Sequence, residues 1–123
     1  MKLNHLDLQV PDVPETAAFF ERHFGLRILG NRTSPALIIL DDGHGFSLVL
    51  QRRREPQTGY PEGFHIGFLV EDVGEVIARR EQITSAGVAC GEIIENGRGT
   101  MFYLTAPGGI TVEVNCRRAS GRG

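Results

Sequence analysis

The stretch Asn4-His-Leu-Asp-Leu-Gln-Val-Pro-Asp-Val13 decides the fold, because the chain repeats its pattern 60 residues downstream. Each copy has a histidine followed at fixed spacings by valine, aspartate and valine. The two sets are His5, Val10, Asp12 and Val13, and His65, Val70, Asp72 and Val73. A repeat of this length indicates a duplicated supersecondary unit.

Each copy begins with a strand pattern and continues into a helix. Residues 3–10 alternate between apolar and polar side chains, which predicts a half-buried strand. Asp12 is a predicted helix N-cap and Gly25 a predicted helix stop. Asp72 and Gly87 bracket a second helix in the same way. The sole other histidines are His44, in a turn, and His23, expected as a solvated helix residue.

Three strand patterns follow each helix, and in the second copy they start with Val88–Glu95. Residues 40–51 match residues 104–115 position by position, so that Val49 meets Glu113. The order strand, helix, three strands therefore occurs twice. We predict a single α+β domain over 1–123. Its parts are module one at 1–52, a linker at 53–63, module two at 64–118 and a frayed tail at 119–123.

Composition restricts the function classes. A formal net charge of −2 argues against a nucleic-acid or polyanion binder. No apolar run approaches the ~20 residues that cross a membrane, and the N-terminus lacks a signal-peptide pattern. Cys90 and Cys116 lack metal-binding or redox spacing and are expected as buried free thiols. A cytoplasmic location is the resulting expectation.

The predicted strands have one apolar and one polar face. The polar face carries no Lys or Arg; its residues are His5, Asp7, Gln9, Ser47, Val49, Gln51, His65, Gly67, Leu69, Thr111, Glu113 and Asn115. We expect this face to line a concave cavity, with the helices on the convex outer side.

Two imidazoles and one carboxylate fall on that face, at His5, His65 and Glu113. Such a set suits Fe(II), Mn(II), Zn(II) or Ni(II) with open coordination positions. The alternative is that each histidine is a hydrogen-bonded structural residue. The equivalence of the two histidines in the repeat favours a metal site.

Four segments carry a resemblance to the vicinal-oxygen-chelate superfamily, which includes glyoxalase I, bleomycin-resistance proteins, fosfomycin-resistance thiol transferases and extradiol dioxygenases. They are Asn4-His-Leu-Asp-Leu-Gln-Val, Phe19-Phe-Glu-Arg-His-Phe-Gly-Leu, Phe64-His-Ile-Gly-Phe-Leu-Val and Phe102-Tyr-Leu-Thr-Ala-Pro-Gly-Gly-Ile-Thr-Val-Glu-Val. The resemblance implies two βαβββ modules forming an open, cup-shaped mixed barrel around a metal. It also implies a homodimer, in which modules are exchanged between chains in some arrangements.

The resemblance also assigns the site. Glyoxalase I-like enzymes place four ligands, of which this chain matches His5, His65 and Glu113. Val49 takes the fourth position and cannot bind metal, which disfavours lactoylglutathione lyase activity. The three-ligand pattern is closer to fosfomycin-resistance enzymes and extradiol dioxygenases. Asp7 and Tyr103 are candidates for proton transfer or substrate contact.

The leading hypothesis is a metalloenzyme that chelates two neighbouring oxygens of a small substrate, with the metal as a Lewis acid. The substrate would meet the polar-face residues Ser47, Val49, Gln51 and Thr111. The alternative is a metal-free protein that sequesters an antibiotic or another amphipathic ligand. A purely structural role would not need histidine and glutamate on that face.

Overall fold

The computed structural model describes residues 1–55 and 59–118. It is an α+β structure of two tandem βαβββ modules, as the repeated pattern predicts. The elements are β1 (His5–Val10), α1 (Val13–Phe24), β2 (Arg27–Leu29), β3 (Leu37–Asp41), β4 (Ser47–Arg52), β5 (His65–Leu69), α2 (Val73–Ser85), β6 (Ile94–Asn96), β7 (Gly99–Ala106) and β8 (Ile110–Arg117). They form two compact units, the first unit (Met1–Gly59) and the second unit (Tyr60–Gly123). The predicted tail 119–123, and residues 56–58 of the predicted linker, lie outside the described residues.

The first unit is a four-stranded sheet in the order β1-β4-β3-β2, with β1 parallel to β4 and the other pairs antiparallel. The Asp12 side chain accepts the Glu15 N–H at 3.0 Å and so caps α1. Gly25 ends the helix in the left-handed conformation, at φ 69°. The core of this unit lies between α1 and one face of the sheet. Its buried side chains are Leu8, Val10, Val13, Ala17, Phe20, Leu26, Ile38, Leu40, Leu48 and Leu50.

The second unit repeats the arrangement, with the strand order β5-β8-β7-β6 and β5 parallel to β8. Asp72 caps α2 by accepting the Glu75 N–H at 2.9 Å. Gly87, at φ 91°, follows the last helical residues, as predicted. Val76 and Ile83 are the buried α2 residues. The sheet face toward α2 carries the buried side chains of Phe102, Leu104, Ala106, Ile110, Val112, Val114 and Cys116, whereas Met101 is buried on the opposite face beside Tyr103.

The predicted strand over Val88–Glu95 is wrong for most of its length. Only its last residues belong to β6, and Cys90 makes an isolated bridge to Leu104. The reason lies on α2. The Arg80 guanidinium donates to the backbone carbonyl of Gly91 at 2.7 Å and to that of Cys90 at 3.4 Å. Those carbonyl groups therefore accept hydrogen bonds from the Arg80 side chain and not from a neighbouring strand.

His23 is buried in α1, which contradicts its expected solvated position. Its ring packs edge-on against Phe19, with 4.9 Å between ring centroids. Burial lowers the pKa of His23, and the neighbouring Arg22 charge lowers it further. His23 is therefore a core residue of the first unit.

Cys90 and Cys116 are both free thiols, as expected, although only Cys116 is fully buried. Burial raises the pKa of the Cys90 thiol, which keeps it protonated.

Among the described residues, none of the helices has the length and apolar character needed to span a bilayer.

His23 is expected to make stability fall in mild acid. Its pKa in the folded chain lies below the unfolded value of about 6.5, so the unfolded chain binds the proton first as pH falls. The free energy of unfolding should decrease below that pH, and His23→Gln should remove this part of the decrease. Urea unfolding at neutral and mildly acidic pH tests the stability, and an NMR titration of the imidazole tests the pKa. A His23 midpoint at or above 6.5 would contradict the assignment.

Gly99→Ala is expected to destabilise the second unit. Gly99 has φ 145°, and an added Cβ would lie 2.0 Å from the Cys116 carbonyl oxygen. Backbone must therefore move, and we expect a loss of roughly 3 kcal/mol or more in the free energy of unfolding. Gly97→Ala is the matched control in the same hairpin, because nothing lies within 4 Å of its Cβ. Equal unfolding midpoints for the two variants in urea would refute the steric argument.

Candidate functional site

The sheet of the second unit brings three predicted site residues together on its open face. In register, Tyr103 of β7 pairs with Glu113 of β8, and Glu113 pairs with Gly67 of β5. His65 lies two residues before Gly67 on β5 and pairs with Thr111. The period of two in each strand places all these side chains opposite α2.

His65 and Glu113 approach each other directly, with 3.5 Å between Nε2 and Oε1. The other ring nitrogen of His65, Nδ1, lies 2.9 Å from the Gly63 carbonyl oxygen. A carbonyl can only accept, so Nδ1 carries the hydrogen. In the neutral imidazole this leaves the Nε2 lone pair directed at the space beside Glu113.

The donor pair His65 and Glu113 fits a divalent cation. With metal–ligand bonds of about 2.1 Å, two ligands of a tetrahedral ion lie about 3.4 Å apart. The observed separation of 3.5 Å matches that edge. Among residues 1–55 and 59–118, no three His, Cys, Asp or Glu side chains are placed together to hold a metal ion. His65 and Glu113 are thus a pair of donor groups and not a complete ligand set.

Tyr103 is tied to the same carboxylate. Its hydroxyl donates to Glu113 Oε1 at 2.6 Å, and its ring lies edge-on to His65 at 5.9 Å between centroids. The hydrogen bond to Glu113 raises the pKa of Tyr103, and desolvation and the carboxylate charge raise it further. The phenol is thus held as a proton donor to Glu113.

The open face of the first unit holds the other predicted residues. His5 is exposed, and its Nδ1 lies 2.8 Å from the side-chain oxygen of Asn4, the same arrangement that His65 has with a carbonyl. Gln51 donates from Nε2 to Asp7 Oδ2 at 2.5 Å. Ser47 pairs in register with His5, and Val49 pairs with Asp7.

Sequence reasoning missed the residues that orient the two histidines. Gly63 is needed because its φ of 86° lets the chain turn its carbonyl toward the ring of His65. Asn4 precedes His5, and its short amide reaches the ring nitrogen. The asparagine beside the strand histidine was the available signal for the first pair. A loop glycine carries no comparable signal for the second.

The matches to known families and to solved structures agree on one family and one fold. The family model described as "Glyoxalase/Bleomycin resistance protein/Dioxygenase superfamily" matches residues 2–114. No protein with a curated functional description matches the chain. A structure described as a possible glyoxalase from Bacillus cereus is 33% identical, with a TM-score of 0.81 over 94% of this chain and 99% of that chain.

Two more distant structures show the same fold. The fosfomycin resistance protein FosX from Listeria monocytogenes is 20% identical, with a TM-score of 0.78 over 97% of this chain and 95% of that chain. A lactoylglutathione lyase from Agrobacterium tumefaciens is 19% identical, with a TM-score of 0.76 over 94% and 92%. Because the family model spans nearly the whole sequence and the 33% identical structure covers 94% of it, the chain belongs to the glyoxalase/bleomycin resistance protein/dioxygenase superfamily.

Proposed function

We propose that this protein is a divalent-metal-dependent enzyme that acts on a small substrate chelated through two adjacent oxygens. His5, His65 and Glu113 are the proposed ligands. The observation that carries the proposal is the approach of His65 Nε2 and Glu113 Oε1 to 3.5 Å, with the Nδ1 hydrogen engaged by Gly63. Fe(II), Mn(II), Zn(II) and Ni(II) suit these donors.

The bound metal would act as a Lewis acid on the substrate oxygens. The chain's own residues hold and orient the proposed ligands. Tyr103 fixes one oxygen of Glu113, a carboxylate whose side chain is only 17% exposed. Asp7 is the proposed group for proton transfer or substrate contact in the first unit. Ser47, Val49, Gln51 and Thr111 are the proposed substrate contacts.

Lactoylglutathione lyase activity is not proposed. Val49 stands where the repeat has Glu113 and offers no metal-binding atom.

The metal-free sequestering alternative is also disfavoured. A cleft for an apolar drug has no need of a histidine, a carboxylate and a phenol placed in contact on one face, since burying such groups costs free energy. We further propose that the enzyme is a homodimer, with module exchange between chains as one of its arrangements.

The wild-type protein is expected to bind Mn(II) or Zn(II) stoichiometrically, and His65→Ala is expected to weaken that binding. Loss of a group that merely supports a ligand costs about 10–100-fold in metal affinity, so loss of a ligand should cost at least the upper value. Calorimetry on metal-stripped protein measures the affinity. His44→Ala is the control, because His44 is an exposed turn residue. A wild type without affinity for either ion would refute the proposal.

Tyr103 is expected to ionise above the usual tyrosine value of about 10, because a phenolate beside the Glu113 carboxylate is disfavoured. Glu113→Gln removes that charge and should bring the Tyr103 pKa down. The ultraviolet absorbance of phenolate during a pH titration measures both values. The protein has two tyrosines, so the titrations use a Tyr60→Phe background. An identical Tyr103 midpoint with and without the carboxylate would contradict the assigned hydrogen bond.

A further inference from the structure

A cavity of about 630 Å³ lies within the second unit, at the end of the sheet where α2 begins. It is bordered by the first residue of α2, the hairpin between β6 and β7, and the last residues of β8. Its lining includes Val73, Glu95, Thr100, Cys116, Arg117 and Arg118. None of these residues belongs to the candidate functional site, so the cavity is separate from that site.

Thr100 occupies the centre of the row of side chains that forms one wall of this cavity. In register, Thr100 of β7 pairs with Glu95 of β6 on one side and with Cys116 of β8 on the other. Cys116 is buried on the sheet face toward α2, so the row lies on that face and not on the open one. Val73 lines the cavity from the helix side. Thr100 therefore lies between the start of the helix and the end of the sheet.

The hydroxyl of Thr100 is available to a ligand. The residue is only 4% exposed, yet its side chain makes no hydrogen bond within residues 1–55 and 59–118. Over the same residues, every fully enclosed side-chain oxygen or nitrogen has a hydrogen-bond partner. The Thr100 oxygen is therefore not fully enclosed but open to the cavity that the residue lines. A hydroxyl in that position can donate to a ligand oxygen.

The charges around Thr100 favour an anion. Arg117 and Arg118 line the cavity together with one carboxylate, that of Glu95, which gives a local net charge of +1 in a chain whose net charge is −2. Neither arginine forms an ion pair with another residue that the structure describes. Arg118 has the strand parity of Cys116 and so belongs to the cavity side, whereas Arg117 alternates to the open face. Arg118 is thus the nearer cation to the row.

Helix α2 presents its N-terminal end to the same space. The first N–H groups of a helix have no acceptor within it. Asp72 accepts the Glu75 N–H with its side chain and the Val76 N–H with its carbonyl, at 2.9 Å and 3.3 Å. The N–H groups of Val73 and Gly74 remain without an acceptor in the described part of the chain. Such groups bind anions at helix N-termini.

We propose that this cavity binds a phosphate group, either inorganic phosphate or the phosphate of a small monoester. The assigned donors are the Thr100 hydroxyl, the Arg118 guanidinium and the first N–H groups of α2. A phosphate presents oxygens in several directions, so each of these donors can reach a different oxygen. The inference does not depend on the proposed function, because its donors lie on the other side of the sheet from His65 and Glu113.

The alternative is that the cavity holds only solvent and that Arg118 is a solvated surface residue. Two substitutions separate these roles. Thr100→Val removes the hydroxyl and keeps the branched shape, and Arg118→Gln removes the charge of an exposed residue. The matched controls are Thr105→Val, the same change at an exposed position of the same strand, and Arg22→Gln, which removes an exposed charge on α1.

The experiment is a titration of the full metal-stripped protein with sodium phosphate at constant ionic strength, followed by the NMR shifts of backbone amides. Removal of metal prevents phosphate from binding through a metal ion. We expect saturating shifts at Val73, Gly74, Thr100 and Arg118. Thr100→Val and Arg118→Gln should each weaken the affinity about 10-fold, as expected for a hydrogen bond to a charged group. Glu95→Gln should tighten binding, because it removes a repelling carboxylate.

A parallel titration with glycerol phosphate distinguishes the two sources of the group. Tighter binding of the ester assigns the cavity to a phosphate monoester, and tighter binding of inorganic phosphate assigns it to the free ion. Amide shifts that do not saturate, or that are weakened as much by Arg22→Gln as by Arg118→Gln, would overturn the inference. Unchanged affinity in both Thr100→Val and Arg118→Gln would also overturn it. Because Arg118 is exposed, Arg118→Gln keeps the test decisive even if Thr100→Val is unstable.

Discussion

The two-residue period of the β-strand is the constraint on which both units depend. Within each sheet it sends one set of side chains to a helix and the other set to the open face. The helix side is apolar, so its burial supplies the main favourable free energy of folding. The open face takes no part in that core and is available for chemistry. The same parity that buries Val112 and Val114 places Glu113 opposite them.

Both units have this alternation, but the side chains on their open faces differ. In the second unit a phenol, a carboxylate and an imidazole make a continuous contact, because Tyr103 and His65 both reach Glu113. In the first unit the corresponding row is apolar at Ile39 and Val49, and the charge moves to the neighbouring strand. Duplication therefore conserves the placement of the histidines more closely than the placement of the carboxylates.

Much of the fold is predictable from the sequence because its signals are local. Asp12 and Asp72 cap helices through hydrogen bonds to residues three positions later, and such short-range contacts leave a clear pattern. The strand faces follow from alternation in the same way. Two properties of the site are predictable from the sequence: its residues share one sheet face, and the histidine occurs at the same position in both modules.

The remaining features depend on long-range contacts. The segment before β6 is irregular because Arg80, on a helix earlier in the chain, binds its carbonyl groups. The bond between Tyr103 and Glu113 joins two strands whose register the sequence pattern does not state. Arg80 and Tyr103 each contact residues ten or more positions away in sequence, so periodicity alone cannot find these partners.

The position of the histidine strands has a consequence for local stability. Each histidine belongs to an edge strand: β1 and β5 have a single hydrogen-bonded neighbour within their sheets, β4 and β8 respectively. Edge segments open at a lower free energy than the core that they border. Transient separation of β5 would therefore remove His65 from Glu113 while β7, β8 and α2 stayed folded. Hydrogen exchange at the two histidine strands would then report the lifetime of an intact donor set, independently of global unfolding.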